Sequence, residues 1–461
     1  MKLVLLSGGS GKRLWPLSND SRSKQFLKVL RSPEGGVESM VQRVWRQLAY
    51  ANLHQSSYIA SCRSQVEMLQ TQINGNVRLI IEPSRRDTFP AIALAASYLY
   101  SIASVSLEEV ITILPVDPFV EDRFFETVKE LESVIKAGAA DIALIGVKPT
   151  FPSEKYGYIV QGAGEPVALH SGISYRTVSH FQEKPSQELA EALIAQGALW
   201  NCGVFAFKLD YLINLLIQKE LPIRYEELVN KYDQLAKISF DYEVVEKAER
   251  VTAVSYNGTW KDLGTWNTLT EEIASPVLGK GIISEDSVNT HLINELDIPV
   301  TVLGLSNVVI ATSPDGILVT EKCASPRIKD VMKDINIRPM YEERRWGHYR
   351  VIDFSSCGIE YEVLTKRTCV TAGNNMSYHM HTRRSEVWTV ITGEGEFVMN
   401  EKFIPIKAGD VLQIPCGAKH SIRAFTNLEL IEVQYGPVLT EDDTVRLTMD
   451  WKDIMEFAIR E

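Results

Sequence analysis

Two groups of residues in this chain have types and spacings suited to chemistry. Near the start, Leu5-Leu6-Ser7-Gly8-Gly9-Ser10-Gly11-Lys12-Arg13-Leu14-Trp15-Pro16-Leu17 places three glycines and two basic residues after an apolar run, and Ser23-Lys24-Gln25-Phe26 follows. Glycines let the backbone approach an anion closely and present N–H groups to it. Arg13 and Lys24 add fixed positive charge where a triphosphate would lie. The run fits neither common phosphate motif: Leu6 and Arg13 stand where a Walker loop requires Gly and Ser/Thr, and Leu14 stands at the third glycine of the dinucleotide fingerprint. The second group is Gly373-x5-His379-x-His381-x4-Glu386-x6-Gly393, then Gly409-x5-Pro415-x-Gly417-x2-His420. Side chains two apart on a strand share a face, so His379 and His381 can bind one ion. Glu386 and His420 would complete a three-His, one-Glu set suited to Zn, Fe, Mn, Ni or Co.

The elements that must position these groups divide the chain in three. Residues 1–275 alternate strand-like runs with helix-like segments, which predicts an α/β domain with a mixed, largely parallel sheet. Lys2 to Leu6 reads as a buried first strand; Val110 to Leu114, ending in Pro115-Val116-Asp117, and Ile142 to Val147 read as others. Glu188 to Gln196 reads as a helix. Ligands of such sheets bind outside the carboxyl ends of the strands, where the glycine turn and Asp117 both fall. Residues 276–340 carry short β-branched runs between Ser/Asn/Asp/Pro turns and read as a small β-rich connector. Residues 341–461 are mostly short alternating strands and read as an all-β barrel or jelly roll.

Composition limits what the groups can serve. The 461 residues are 45% hydrophobic and 23% charged, ordinary for a globular protein. The net charge of −11 argues against general nucleic-acid binding, so an anionic substrate needs a local basic pocket. No stretch reaches the roughly 20 apolar residues of a membrane span, and Gly8 to Arg13 interrupts the first apolar run too early for a signal peptide. Six scattered cysteines without a Cys-x-x-Cys pair read as free thiols in a reducing cytoplasm.

The pattern Gly-Gly-x-Gly-x-Arg-Leu-x-Pro-Leu followed by Lys-Gln resembles the signature of sugar-1-phosphate nucleotidyltransferases, and Trp15 with Lys24-Gln25-Phe26 resembles the mannose-1-phosphate guanylyltransferase branch. Further segments match in order. Glu82-Pro83-Ser84-Arg85-Arg86-Asp87-Thr88-Phe89-Pro90-Ala91 resembles a base-binding segment, with departures at Asp87 and Phe89. Leu114-Pro115-Val116-Asp117 resembles Leu-Pro-Ala-Asp, and Tyr156-Gly157-Tyr158-Ile159 a sugar-side loop. Phe181-Gln182-Glu183-Lys184-Pro185 and Trp200-Asn201-Cys202-Gly203 resemble further sugar and phosphate segments, and Phe240-Asp241-Tyr242 an Ile-Asp-Tyr segment. Trp260-Lys261-Asp262-Leu263-Gly264-Thr265-Trp266 resembles the segment of a second metal carboxylate.

The resemblance implies a Rossmann-like domain that joins GTP to mannose 1-phosphate, releasing pyrophosphate, within polysaccharide biosynthesis. Arg13, Lys24, Asp117 and Asp262 would be catalytic, the two aspartates holding Mg²⁺. Gly8, Gly9, Ser10, Gly11, Lys12, Glu82, Arg86 and Thr88 would bind the nucleotide. Gly157, Tyr158, Glu183, Lys184 and Asn201 would bind the sugar phosphate. The two-part histidine pattern resembles both cupin motifs, and the domain order resembles bifunctional enzymes ending in a type II phosphomannose isomerase, so a second divalent metal and mannose 6-phosphate enter as expectations. That family's closing Arg-x-x-Asp-x-Tyr-Gly-Arg is degraded here: Arg446-Leu447-Thr448-Met449-Asp450-Trp451 keeps only its start. The competing reading is a nucleotidyltransferase for another base or sugar, with a non-catalytic sugar-binding or dimerising cupin. A homodimer is expected, without nucleic-acid or membrane partners.

Overall fold

A computed structural model describes residues 1–459 except 10, 20, 74–76, 170–172, 336–337 and 357–360. The chain forms two compact units: Met1–Leu14 with Ser23–Pro276 and Lys322–Pro326, and Trp15–Arg22 with Val277–Glu321 and Arg327–Glu461.

The first unit is built on a ten-stranded mixed sheet. Lys2–Leu6 lies parallel between Ser57–Cys62 and Val110–Pro115, and Arg78–Glu82 continues the parallel half. Ile142–Val147 and Val251–Tyr256 form another parallel pair. Leu199–Lys208 runs antiparallel to both Val110–Pro115 and Ile142–Val147, so parallel pairing is confined to the two flanks of that strand. The alternation of apolar runs reveals which strands are buried on both faces, but not the direction in which one is inserted. Leu3 and Leu5 enter one apolar cluster with Val41, Phe124 and Leu131, while Val4 enters another with Ile92, Leu99, Ile111 and Leu212. The two clusters therefore occupy opposite faces of the first strand. Register pairs Leu6 with Pro115. The glycine turn and Asp117 thus leave the same end of adjacent strands.

In the second unit the connector is a stack of short parallel strands. Val277–Gly279, His291–Asn294 and Val308–Ser313 form one sheet, closed by antiparallel Gly316–Glu321, and Gly281–Ile283 pairs parallel with Val300–Val302. Leu292, Val302 and Ile310 fill its centre. The segment Trp15–Arg22 belongs here: Ser313 Oγ donates to Pro16 O at 2.7 Å and Asn19 Nδ2 to Asp315 at 2.6 Å. The C-terminal barrel has a six-stranded and a five-stranded sheet. Along Leu428–Gly436 every second residue is buried, from Leu428 and Leu430 to Glu432 and Gln434. A barrel interior that begins apolar thus becomes polar toward one end, where the histidines lie.

No described helix is long and apolar enough to cross a membrane. Cys62, Cys202, Cys323, Cys369 and Cys416 are free thiols; Cys357 lies outside the described residues.

Candidate functional site

In the first unit the two expected metal carboxylates and the expected catalytic lysine meet. Lys24 Nζ stands 3.0 Å from Asp117 Oδ2 and 2.9 Å from Asp262 Oδ1. Asp117 follows the end of Val110–Pro115, and Asp262 follows the short strand Trp260–Lys261, which pairs with Phe119–Val120 just beyond Asp117. That hairpin-like pairing brings together aspartates 145 positions apart in sequence. Burial opposes the Lys24 charge, but the two carboxylates outweigh it and hold its pKa above the ordinary lysine value. Burial likewise opposes the charge on Asp262, yet Lys24, Arg13 and Lys155 together pull its pKa below the usual carboxylate range. Arg13 itself is exposed. Two carboxylates converging on one ammonium form a cation-binding arrangement, and a divalent ion fits the same oxygen donors.

The glycine turn is pinned from behind. Ser23 Oγ donates to Gly9 O at 2.9 Å, and Gln25 Nε2 donates to Ser7 Oγ at 3.1 Å. Gly8 and Gly9 remain exposed, and Gly11 opens the short 3-10 turn Gly11–Leu14 that carries Lys12 and Arg13. Ser10 lies outside the described residues. Glu82, buried at the end of its strand, accepts a hydrogen bond from Tyr232 Oη at 2.9 Å, and burial raises its pKa despite that bond. Arg86 and Thr88 turn elsewhere: Arg86 Nη1 donates to Leu235 O at 2.7 Å, and Thr88 Oγ1 accepts the Phe240 N–H at 2.8 Å. Both therefore anchor the 233–240 segment.

The sugar-side residues form a second cluster. Asn201 Nδ2 donates to Asp241 Oδ1 at 2.7 Å, while Asn201 Oδ1 accepts the Gly203 N–H at 3.0 Å. The Asn201 N–H donates to Gly157 O at 2.8 Å, tying the two expected sugar segments together. Lys184 Nζ pairs with Glu183 Oε1 at 2.6 Å, and Lys184 holds a φ of 43°, in the left-handed region. Gly157 leaves room for Glu183: a Cβ there would lie 2.5 Å from Glu183 Oε2. Burial, then the neighbouring Glu183 charge, pushes Asp241 up to about 7. Tyr158 is fully buried, and its hydroxyl is spent on Ser153, donating to its carbonyl at 3.1 Å and accepting its N–H at 2.9 Å. Its side chain fixes the loop, which leaves contact with a ligand to the backbone and to Gly157.

Sequence reasoning missed Tyr232, whose partner Glu82 is 150 residues away. It also gave no role to Asp241, although the Phe240-Asp241-Tyr242 segment carried the signal.

In the barrel, His379, His381 and His420 bring ligand atoms within 4.8 Å of one another. Tyr378–His381 pairs with His420–Ala424 so that His379 lies opposite His420. Glu386 Oε1 stands 3.1 Å from His381 Nε2, and its Oε2 is 3.6 Å from His420 Nε2. Carbonyls of Ser377 and Ala418 lie 2.7 and 3.0 Å from the Nδ1 atoms of His379 and His420. A carbonyl can only accept, so Nδ1 carries the proton and Nε2 faces the site as a free donor atom. His420 Nε2 is buried with no hydrogen-bond partner among the described residues. Burial, then the other two histidines, lowers the His379 pKa well below the ordinary value and keeps that ring neutral. This orphaned nitrogen in a set of three imidazoles and one carboxylate fits a transition-metal ion. Glu386 is itself oriented by Arg384 Nε at 3.0 Å, Gln434 Nε2 at 3.1 Å and Trp388 Nε1 at 2.9 Å. Arg384 and Gln434 were not among the expected site residues; only the packing around Glu386 reveals them.

Comparison with known proteins agrees with this geometry. The nucleotidyl transferase family matches residues 2–275, and the mannose-6-phosphate isomerase C-terminal family matches 336–449. A mannose-1-phosphate guanylyltransferase of Salmonella montevideo is 30% identical, with 96% of this chain and 98% of that protein covered. This chain belongs to the mannose-1-phosphate guanylyltransferase family. The alginate biosynthesis protein AlgA of Pseudomonas aeruginosa is likewise 30% identical over 96% of this chain and 95% of its own length. The solved mannose-1-phosphate geranyltransferase of Thermus thermophilus superposes with a TM-score of 0.60 at 30% identity, covering 72% of this chain and 98% of that one. A guanylyltransferase-family enzyme with an isomerase-type barrel thus accounts for both constellations.

Proposed function

We propose that the chain forms GDP-mannose and pyrophosphate from GTP and mannose 1-phosphate. The observation that carries this reading is Lys24 held between Asp117 and Asp262 beside the glycine turn. A phosphate oxygen of mannose 1-phosphate attacks the α-phosphorus of GTP; a new P–O bond forms, the α–β bridge breaks, and pyrophosphate leaves with the electron pair. Because two anions must meet, the reaction needs cations more than a nucleophile. Lys24 and Arg13 supply fixed positive charge, and the N–H groups of Gly8, Gly9 and Gly11, with Lys12, cradle the phosphates. Asp117 and Asp262 would hold Mg²⁺, which supplies charge neutralisation at the phosphates when bound. Glu183 and Asn201 position the sugar hydroxyls beside Gly157, with Lys184 on its phosphate. Glu82 faces the base side, with Arg86 and Thr88 shaping the wall there. Turnover with GTP against ATP, UTP and dTTP tests the base: a preference for another nucleotide would sink this assignment.

The barrel supports a second activity, interconversion of mannose 6-phosphate and fructose 6-phosphate, with His379, His381, Glu386 and His420 holding a divalent metal. Replacing His381 with Ala should abolish isomerisation and lower bound metal while leaving GDP-mannose formation intact. Wild-type protein that binds no metal and forms no fructose 6-phosphate would favour a non-catalytic barrel, as the altered segment after Arg446 suggests. The domain limits at 275 and 340, a cytoplasmic setting and a homodimer complete the proposal.

A further inference from the structure

Within the second unit, a cleft of about 460 Å³ lies between the connector and the outer face of the six-stranded sheet. Three arginines converge on it: Arg22 from the segment that follows the glycine turn, and Arg350 and Arg367 from adjacent strands. Arg350 and Arg367 are direct cross-strand partners. Like charges in that position repel across the strands, and both guanidinium groups reach the same cleft.

Each guanidinium has a carboxylate neighbour. Arg350 Nη1 lies 3.3 Å from Asp297 Oδ2, Arg367 Nε 3.2 Å from Glu429 Oε1, and Arg22 Nη1 2.9 Å from Glu295 Oε2. Glu343 adds a further carboxylate acting on Arg22. The cleft is therefore not an unbalanced positive patch; its surplus is in donors. A guanidinium carries five N–H groups, and these pairs engage few of them. Arg22 is 6% exposed, and its Nε is buried without a hydrogen-bond partner among the described residues. Asp297 is 73% exposed, so its ion pair with Arg350 is weak and readily exchanged. Tyr341 and His348 line the same cleft with ring centroids 5.7 Å apart, and the Arg22 guanidinium lies 5.4 Å from the Tyr341 ring.

We propose that this cleft binds a small phosphorylated molecule, its phosphoryl group taken by Arg350 and Arg367 and its sugar or base ring placed against Tyr341 and His348. A phosphoryl group accepts several N–H bonds at once in the geometry that guanidinium forks present. The volume suits a nucleotide or sugar phosphate. Arg22 stands two residues before Lys24 in the chain, so an occupant that engages Arg22 holds the segment leading into the catalytic lysine.

The test is equilibrium binding by the full-length protein of four probes: inorganic phosphate, mannose 6-phosphate, GTP and GDP-mannose. Wild-type protein is compared with the Arg350→Gln/Arg367→Gln double variant. The expected result is one binding equivalent, for at least one organic probe, that is weakened tenfold or more in the double variant. Inorganic phosphate should compete for that equivalent. Without ligand the double variant should unfold within a few degrees of wild type, since the like-charge pair it loses offsets the two part-exposed ion pairs lost with it, which separates lost binding from lost folding. If all four probes bind both proteins alike, or phosphate raises both unfolding temperatures equally, the cleft is not such a site.

Discussion

Replacing Lys24 with Met should test both its pairing with the two aspartates and its proposed part in nucleotidyl transfer. Its ammonium lies within 3.0 Å of carboxylate oxygens from both Asp117 and Asp262, so those oxygens are no more than about 6 Å apart. At an effective dielectric of about 20, two unit charges at about 6 Å repel by about 3 kcal/mol. The Asp262 side chain is 32% exposed and Asp117 19%, so solvent screening reduces this, and a stability loss of about 1–2 kcal/mol is expected at neutral pH. Adding Mg²⁺ should restore more stability to the variant than it adds to wild type, because the ion replaces the missing positive charge. The Asp262 pKa is lowered in the folded protein, so its pairing contributes stability above the unfolded carboxylate pKa and loses it as pH falls through the folded value. The variant should lose much of that acid-side slope. Denaturant unfolding at pH 7 and at about pH 3, with and without Mg²⁺, reads all three effects, and a nucleotidyl-transfer assay should show turnover lowered at least about 10³-fold, in line with losing a preorganised charge. A variant with wild-type stability, no added Mg²⁺ response and normal turnover would refute the reasoning.

Two further substitutions probe the sugar side. Gly157→Ala would place a methyl carbon 2.5 Å from both Glu183 Oε2 and the Phe181 ring; kcat/KM for mannose 1-phosphate should fall tenfold or more, with a smaller change in the KM for GTP, and equal losses for both substrates would count against Glu183 as a sugar contact. Asp241 is pushed up to about 7 by burial and by Glu183, so the folded state holds its proton more tightly than the unfolded chain, and its contribution to stability falls as pH rises from about 4 toward 7. Asp241→Asn keeps an acceptor for Asn201 and removes that cost; its unfolding free energy should exceed that of wild type by more at pH 8 than at pH 5, and a difference independent of pH would show that Asp241 is not buried as described.

Much of the architecture was legible because it depends on local pattern. The apolar run Lys2 to Leu6 before the glycines marks a strand buried on both faces, and the spacing of His379 and His381 marks one strand face. Asp117 and Asp262 could be named from their segments, but not their meeting on Lys24, which depends on the Trp260–Lys261 and Phe119–Val120 pairing. The antiparallel insertion of Leu199–Lys208 was also hidden, since a strand buried on both faces reads alike in either direction. Tyr158 shows the opposite failure: its segment was found, but only packing reveals that its hydroxyl is consumed by Ser153. Tyr232 and Arg22 carry no local signal at all. Each acquires its place from a partner more than a hundred residues away.

The measurement that bears most directly on the central claim is GDP-mannose and pyrophosphate formation from GTP and mannose 1-phosphate with Mg²⁺, comparing wild type with Asp262→Asn. Asn keeps the size of the side chain and one oxygen beside Lys24, so the fold should persist, as checked by unfolding. The account predicts stoichiometric release of both products by wild type and a loss of at least about 10³-fold in the variant. Near-normal turnover by a folded Asp262→Asn protein would contradict it.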